Sequence, residues 1–348
     1  MAARRPTLLV TMGDPAGIGP EIVARALAMP SLRRHASLAA VGDPEILERA
    51  ARQSRVRLRF RVLTADRFDP KDHATGIPLI ASSEDGFAAI EPGTPTAASG
   101  RAAARAVEVA AGLALERRAE GIVTAPLSKK ALKAAGYPYP GHTEFLAALA
   151  RVPETKMLFV GGAFRILLAT VHMPLRLVPE ALAVGPLTRT IEFAALALRN
   201  FRWGVKRAVA VLGLNPHAGE DGLFGDEEGL VIRPAIAAAR ARGIAAEGPF
   251  PADTFFSQNA SRRDLGAVVA MYHDQGLIAA KSGGIGGAAN VTLGLPFVRS
   301  SVDHGTAFDR AWRGGRRAPD PAGLATAVKV GADLSTRSGL RPMEWTWP

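Results

Sequence analysis

The stretch TLLVTMGDPAGIGPEIVARALAM, residues 7–29, decides the fold. It sets an apolar run, a glycine-rich turn and a helix-like segment in succession, with Pro20 suited to a first helical turn. LAAVGDPEILERAA (38–51) repeats the scheme, and strand-like and helix-like segments alternate from there to the end of the chain. Residues 96–120 read as a long alanine-rich helix, GIVTAPLSK as a returning strand, FLAALARV as a helix, and MLFV and FRILLATV as adjacent strands. Helices are expected over 186–201 and 229–243 and at LATAVKVGADL, and strands at AVAVLGL and DLGAVVAM; KSGGIGGAAN (281–290) looks the most flexible. Such alternation predicts an α/β protein with largely parallel strands. The 348 residues exceed what one core usually serves, which predicts two domains divided at a compact crossover.

Composition narrows the function. With 48% hydrophobic and 22% charged residues the chain reads as a soluble globular protein. The lack of cysteine excludes disulfides, iron–sulfur clusters, thiolate zinc sites and a cysteine nucleophile, so any metal must be held by His, Asp, Glu or water. The apolar run near the N-terminus is too short for a signal-peptide core, and no segment approaches the roughly 20 apolar residues of a membrane span; a cytoplasmic location is expected. The net charge of +11 suits anionic small molecules or reflects arginine-rich composition. Arg55, Arg57, Arg59 and Arg61 alternate with Val56, Leu58, Phe60 and Val62, the pattern of a half-buried strand with a solvated arginine face. A second concentration lies at Arg313, Arg316 and Arg317. Only 6% of residues are aromatic and no stacking platform stands out, so neither nucleic acid nor a membrane is expected as a partner.

Three histidines follow apolar runs: ILLATVH ends at His172, VAVLGLNPH at His217, and VVAMYHDQ carries His273. Runs of this length bounded by turn signals suggest buried parallel strands, and ligands of open α/β sheets collect beyond the strands' carboxyl ends. If the three strands run parallel, the histidines open polar loops along one edge. Neutral imidazole is the commonest metal ligand, and three ligands with one open position is the usual catalytic zinc arrangement. The three therefore predict a metal site, although each alone suits a loop or packing role.

Other motifs carry two readings. GDPAGIGPE (13–21) has the look of a phosphate cradle but matches neither the P-loop nor G-x-G-x-x-G, so a structural turn is equally consistent. GHTE (141–144) sets His142 beside Thr143, whose hydroxyl is placed to cap a helix near an anion. In NPHAGEDGLFGDEE, acidic residues following His217 could orient it, or Asp226, Glu227 and Glu228 could form a solvated helix start. Lys281, Asn290 and Arg299 follow His273 and Asp274 closely and suit a phosphorylated or carboxylated substrate. Asp303 and His304 fit a site or a turn equally.

In order and across nearly the whole chain, GDPAGIGPE, TAPLSK, PGHTEFLA, LNPHAGE, PADTFF, MYHDQGL and NVTLGLPFVRSSVDHGTAFD resemble the signatures of the 4-hydroxythreonine-4-phosphate dehydrogenase family of pyridoxal phosphate biosynthesis. The resemblance implies the isocitrate and isopropylmalate dehydrogenase-like fold, with two α/β/α domains and a cleft between them. Residues 1–128 with 300–348 would form the first domain; residues 129–299 would carry the metal ligands and the interface of a homodimer with shared active sites. It implies oxidation of 4-phosphohydroxy-L-threonine to 2-amino-3-oxo-4-phosphooxybutanoate, which decarboxylates to 3-amino-2-oxopropyl phosphate. NAD or NADP would accept the hydride, and Zn, Mg, Mn or Co would be the metal.

Carried over by position, the metal ligands fall on His172, His217 and His273, and the three need not come from one subunit. Substrate contacts fall on His142, Thr143, Lys281, Asn290 and Arg299. Asp253, Asp274 and Lys281 are candidates for proton transfer, the two aspartates equally for orienting a ligand, and no cofactor-binding residue is assigned. The chain departs from the pattern at Ile285 and Ala289, where a bulkier aromatic and a valine are expected, and at Asp221, Leu223 and Phe224, where some relatives have Gly-Gly-His. Substrates within reach of the same family are erythronate or threonate phosphate and a cyclohexadiene-diol dicarboxylate. A metal-dependent hydrolase using the same histidines is the reading from another class.

Overall fold

The computed structural model describes residues 5–72, 74–83, 90–204, 206–282, 287–314, 318–339 and 341–347. Ile285, Arg316 and Arg317, and with Ile285 the middle of the glycine-rich stretch, lie outside the described residues. The chain packs as two units, Met1–Thr155 with Ala289–Pro342, and Lys156–Ala288 with Met343–Pro348.

The first unit contains β1 (Thr7–Thr11), β2 (Ser37–Gly42), β3 (Phe60–Leu63), β4 (Ile77–Ala81) and β5 (Gly121–Thr124). The second contains β6 (Lys156–Gly161), β7 (Phe164–Leu168), β8 (Ala208–Leu212), β9 (Ala246–Phe250) and β10 (Leu265–Ala270); β11 (Ala288–Leu293) and β12 (Val298–Ser301) then return to the first. The first unit's strand order is β3-β4-β2-β1-β5-β12-β11, parallel except where β11 runs antiparallel to β12. β1 and β5 are buried at every residue, as expected of parallel strands covered on both faces. Helices Gly19–Leu27, Ala97–Leu115 and Ala322–Ser338 supply the cover. Thr96 starts the second of these with a capping box, its hydroxyl accepting from Ser99 N at 3.1 Å while Ser99 Oγ accepts from Thr96 N at 3.0 Å.

The second unit orders its strands β6-β7-β10-β8-β9, with β6 antiparallel to β7 and the other neighbours parallel. Its core is built on Ile166, Leu168, Ala210, Leu212, Val268 and Ala270, from the three strands that precede the histidines.

The division between units falls at 155/156 and 288/289 instead of 128/129 and 299/300. Helix Lys129–Ala134 lies so close to Ala97–Leu115 that a side chain at Gly100 would collide with the Ala131 carbonyl. β11 and β12 pair with each other, and β12 with β5, which keeps both in the first unit. The arginine alternation holds through Phe60 and then breaks: Arg55, Arg57 and Arg59 are exposed, but Arg61 is half-buried and ion-paired to Asp72 at 2.7 Å, while Val62 is exposed. Only Phe60–Leu63 is strand, at the sheet's edge, where neither face needs to be fully buried.

Candidate active site

The glycine-rich turn after β1 uses its amides internally. Asp14 N donates to Pro126 O at 2.8 Å, Ala16 N to Asp14 Oδ1 at 2.9 Å, Gly17 N to Asp14 O at 3.0 Å and Ile18 N to Thr306 O at 2.9 Å. Side chains at Gly13, Gly17 and Gly19 would collide with the carbonyls of Pro126, Thr306 and Met12, and Gly13 also holds φ at 72°. The structural-turn reading is therefore the one the contacts support. These four amides have no capacity left for a phosphate.

A buried polar cluster lies elsewhere in the first unit. Arg299, on β12, is only 3% exposed, and its Nη1 and Nη2 donate to the hydroxyls of Thr292 (2.9 Å) on β11 and Thr124 (2.7 Å) on β5. Strand register explains the meeting: β12 pairs Arg299 with Ile122, two residues before Thr124 and on the same face. No carboxylate hydrogen-bonds the guanidinium among the described residues, and its Nε is buried without a partner. Burial pushes Arg299 down to about 10, with the charge of Glu144 offsetting part of the effect, so it is still a cation at neutral pH.

His142 and Asn290 belong with it. His142 opens helix His142–Leu149, and its Nε2 is buried and unpartnered, as is Asn290 Oδ1 on β11. Burial first, and then the charge of Arg299, hold His142 well below its ordinary value, which keeps the ring neutral. Thr143 does not cap this helix as its position suggested: Gly141 is the cap residue, no side chain caps the end, and Thr143 is the buried second residue. An uncapped helix end beside a buried cation favours an anion.

The three metal-ligand candidates all follow strands of the second unit, and those strands, β7, β10 and β8, are adjacent and parallel. Their ends are tied together. Thr170 Oγ1 donates to Met271 O at 2.8 Å; Gln275 accepts from Met271 N and donates to Gly213 O, both at 2.7 Å. The rings of His172 and His273 come within 5.4 Å, centroid to centroid. His273 Nδ1 meets Asp274 Oδ1 at 2.7 Å, which leaves Nε2 as the nitrogen for a metal. His273 opens helix His273–Lys281 and not a loop, so exposed Lys281 lies roughly 12 Å along the helix axis from it, at 1.5 Å per residue.

His217 sits apart from this pair. It begins a turn in which His217, Ala218, Gly219, Glu220 and Asp221 all hold φ between 43° and 82°. For the four non-glycine residues that left-handed backbone costs roughly 1–2 kcal/mol each. Its ring lies 6.1 Å from that of Phe224, centroid to centroid, and exposed Asp253 is the second residue of helix Ala252–Asn259, which packs against the turn. Among the described residues no three His, Asp or Glu side chains converge as a metal group. The close approach of the His172 and His273 rings and the Nε2 that Asp274 leaves to His273 suit a metal; among the described residues no third ligand converges with them.

The model of the family described as pyridoxal phosphate biosynthetic protein PdxA matches residues 34–330. The chain belongs to the PdxA family. It is 45% identical to the 4-hydroxythreonine-4-phosphate dehydrogenase of Beijerinckia indica, over 95% of this chain and 94% of that one. It is also 41% identical to the D-threonate 4-phosphate dehydrogenase of Cupriavidus necator, over 95% and 98%. The crystal structure of 4-hydroxythreonine-4-phosphate dehydrogenase from Klebsiella pneumoniae superposes with a TM-score of 0.86 at 38% identity, covering 97% and 100%.

Three residues of this PdxA chain that sequence reasoning missed, and one that it read two ways, shape the site. Thr124 and Thr292 aim Arg299, and Gln275 joins two histidine-bearing strand ends. Glu228, whose acidic stretch could orient His217 or form a solvated helix start, is 3% exposed, which rules out the solvated reading for this residue. Burial raises its pKa, but hydrogen bonds from the Asn215 backbone and side chain and from Leu214 N outweigh that and hold it below the usual carboxylate value. Each lies inside a motif already marked, TAPLSK, NVTLGLP, MYHDQ or GDEE; what the sequence lacked was which strand each would face.

Proposed function

We propose that the chain is a cytoplasmic, homodimeric dehydrogenase that oxidises 4-phosphohydroxy-L-threonine with NAD or NADP and a divalent metal, the product losing carbon dioxide to give 3-amino-2-oxopropyl phosphate. The observation that carries this reading is buried Arg299, a cation that no carboxylate hydrogen-bonds among the described residues, beside the unpartnered nitrogen of neutral His142. Such groups are unsatisfied until an anion with several acceptor oxygens arrives, and a phosphate monoester supplies them. Asn290 Oδ1 offers an acceptor for a substrate hydroxyl or amine.

His172, His217 and His273 would hold the metal in the assembled dimer, with Asp274 fixing the tautomer of His273. When bound, the metal lowers the pKa of the substrate hydroxyl and the nicotinamide accepts the hydride. Lys281 and Asp253 are the side chains for the hydroxyl proton, Asp274 being engaged in orienting His273; Lys281 and Thr143 complete the substrate contacts.

The deciding experiment offers the purified enzyme NAD or NADP with 4-phosphohydroxy-L-threonine, erythronate phosphate, D-threonate 4-phosphate or a cyclohexadiene-diol dicarboxylate, and follows reduced nicotinamide. The first substrate is expected to give the highest kcat/KM. Preference for the dicarboxylate would sink the phosphate reading. A second expectation concerns Arg299's supports: Thr124→Val with Thr292→Val should raise KM for the phosphorylated substrate about thirtyfold, from the loss of two hydrogen bonds that aim the guanidinium at about 1 kcal/mol each, while kcat changes less than threefold.

A further inference from the structure

The left-handed turn at 217–221 persists although only Gly219 adopts that backbone freely, so something outside it must hold it. Glu228 is in position to do so. Its Oε1 accepts from Leu214 N at 2.7 Å and from Asn215 N at 2.8 Å, and its Oε2 accepts from Asn215 Nδ2 at 3.0 Å. The same Oε2 lies 2.6 Å from where a side chain at Gly219 would begin, so the carboxylate grips the chain just before the first left-handed residue and lies close against the middle of the turn, where only glycine leaves it room. Glu227 adds a second carboxylate on Asn215 Nδ2 at 2.6 Å. Glu228 also begins a short π-helical stretch, Glu228–Ile232, an irregularity that recurs at functional sites.

We propose that Glu228 is the positioning residue for His217: its buried carboxylate collects the donors of Leu214 and Asn215, holds 217–221 in the left-handed conformation, and so sets where the imidazole is presented. The inference rests on the reading of His217 as a metal ligand for its functional consequence, but its structural content is independent of that reading. Glu228 touches neither substrate nor metal. It acts through the backbone of the turn.

The test uses the full chain, metal-free, as wild type and as Glu228→Gln, with amide hydrogen exchange followed by mass spectrometry and Co²⁺ affinity measured by chelator competition. Loss of charge-assisted bonds should speed exchange over 213–224 by roughly 10- to 100-fold, leave peptides of β6 and β7 unchanged, and weaken Co²⁺ binding at least about tenfold. Adding Glu220→Gly should restore part of both properties, because glycine accepts the φ of 43° found there. If the buried substitution prevents folding, Asn215→Ala removes one donor instead and should speed exchange by about threefold. Unchanged protection over 213–224 in either variant overturns the proposal. His217→Ala separates the two readings: wild-type Co²⁺ affinity there would refute the ligand assignment, whereas the exchange result on Glu228→Gln decides the positioning role alone.

Discussion

Arg299→Met should lose affinity for the phosphorylated substrate by roughly 10²–10⁴-fold while the protein stays folded with nearly wild-type stability. Two charge-assisted bonds of about 1.5–3 kcal/mol each set the first figure. The second follows from what Arg299 lacks. A buried ion pair that loses one partner leaves a costly lone charge, but here no carboxylate among the described residues hydrogen-bonds the guanidinium, and the hydrogen bonds that its removal breaks are those to the hydroxyls of Thr124 and Thr292. Relief of a desolvated cation that only the charge of Glu144 partly offsets opposes that loss, and the net change should lie within about 1 kcal/mol.

The same variant carries a pH signature. His142 is held below its ordinary value of about 6.5 by burial and by the charge of Arg299. A depressed folded-state pKa means stability that is present above about pH 6.5 and drains away as pH falls toward the folded value, because the unfolded chain takes up the proton first. With Arg299 gone the burial effect remains but the repulsion does not, so Arg299→Met should lose less stability between neutral and mildly acidic pH than wild type does. Urea melts at several pH values, with KM in parallel, check both. A drop of several kcal/mol at neutral pH with unchanged KM would mark Arg299 as a structural residue.

Arg299 and its neighbours also show how far the sequence could be read. The residue types at 142, 290 and 299 were visible as motif members, because each stands out chemically in a polar or turn context. Thr124 and Thr292 were not, since a threonine inside an apolar strand reads equally as β-propensity, and only the pairing of β12 with β5 and with β11 turns them toward one guanidinium. The alternation that announced α/β structure works because buried parallel strands are continuous apolar runs, so β1, β7, β8 and β10 were legible. β4, β9, β11 and β12 went unread, being short runs interrupted by Pro, Gly or polar residues. The glycines of 13–19 left two readings open for a different reason. Glycine is demanded both by phosphate approach and by backbone-to-backbone packing, and spacing alone cannot separate the two; hydrogen-bond partners for four amides can.

His273→Ala is the other variant expected to have a large effect, and its size should be judged against Asp274→Ala. His273 faces His172 across 5.4 Å, so removing its ring takes away half of the one close imidazole pair in the second unit. The Lewis-acid contribution of a bound metal is worth several kcal/mol, so kcat should fall by about 10³-fold or more and the dialysed protein should retain no stoichiometric metal. Asp274 bonds to Nδ1 of His273, the nitrogen away from the metal. Its loss frees the tautomer and the ring orientation without removing a donor, and should cost 10–100-fold in metal affinity, with turnover recovering at high metal concentration. The ordering is the argument: an orienting group can be compensated by mass action and a missing ligand cannot. Equal, unrecoverable losses in the two variants would instead make Asp274 a ligand or proton carrier in its own right, and full turnover by His273→Ala after chelation and dialysis would remove the pair from the reaction altogether.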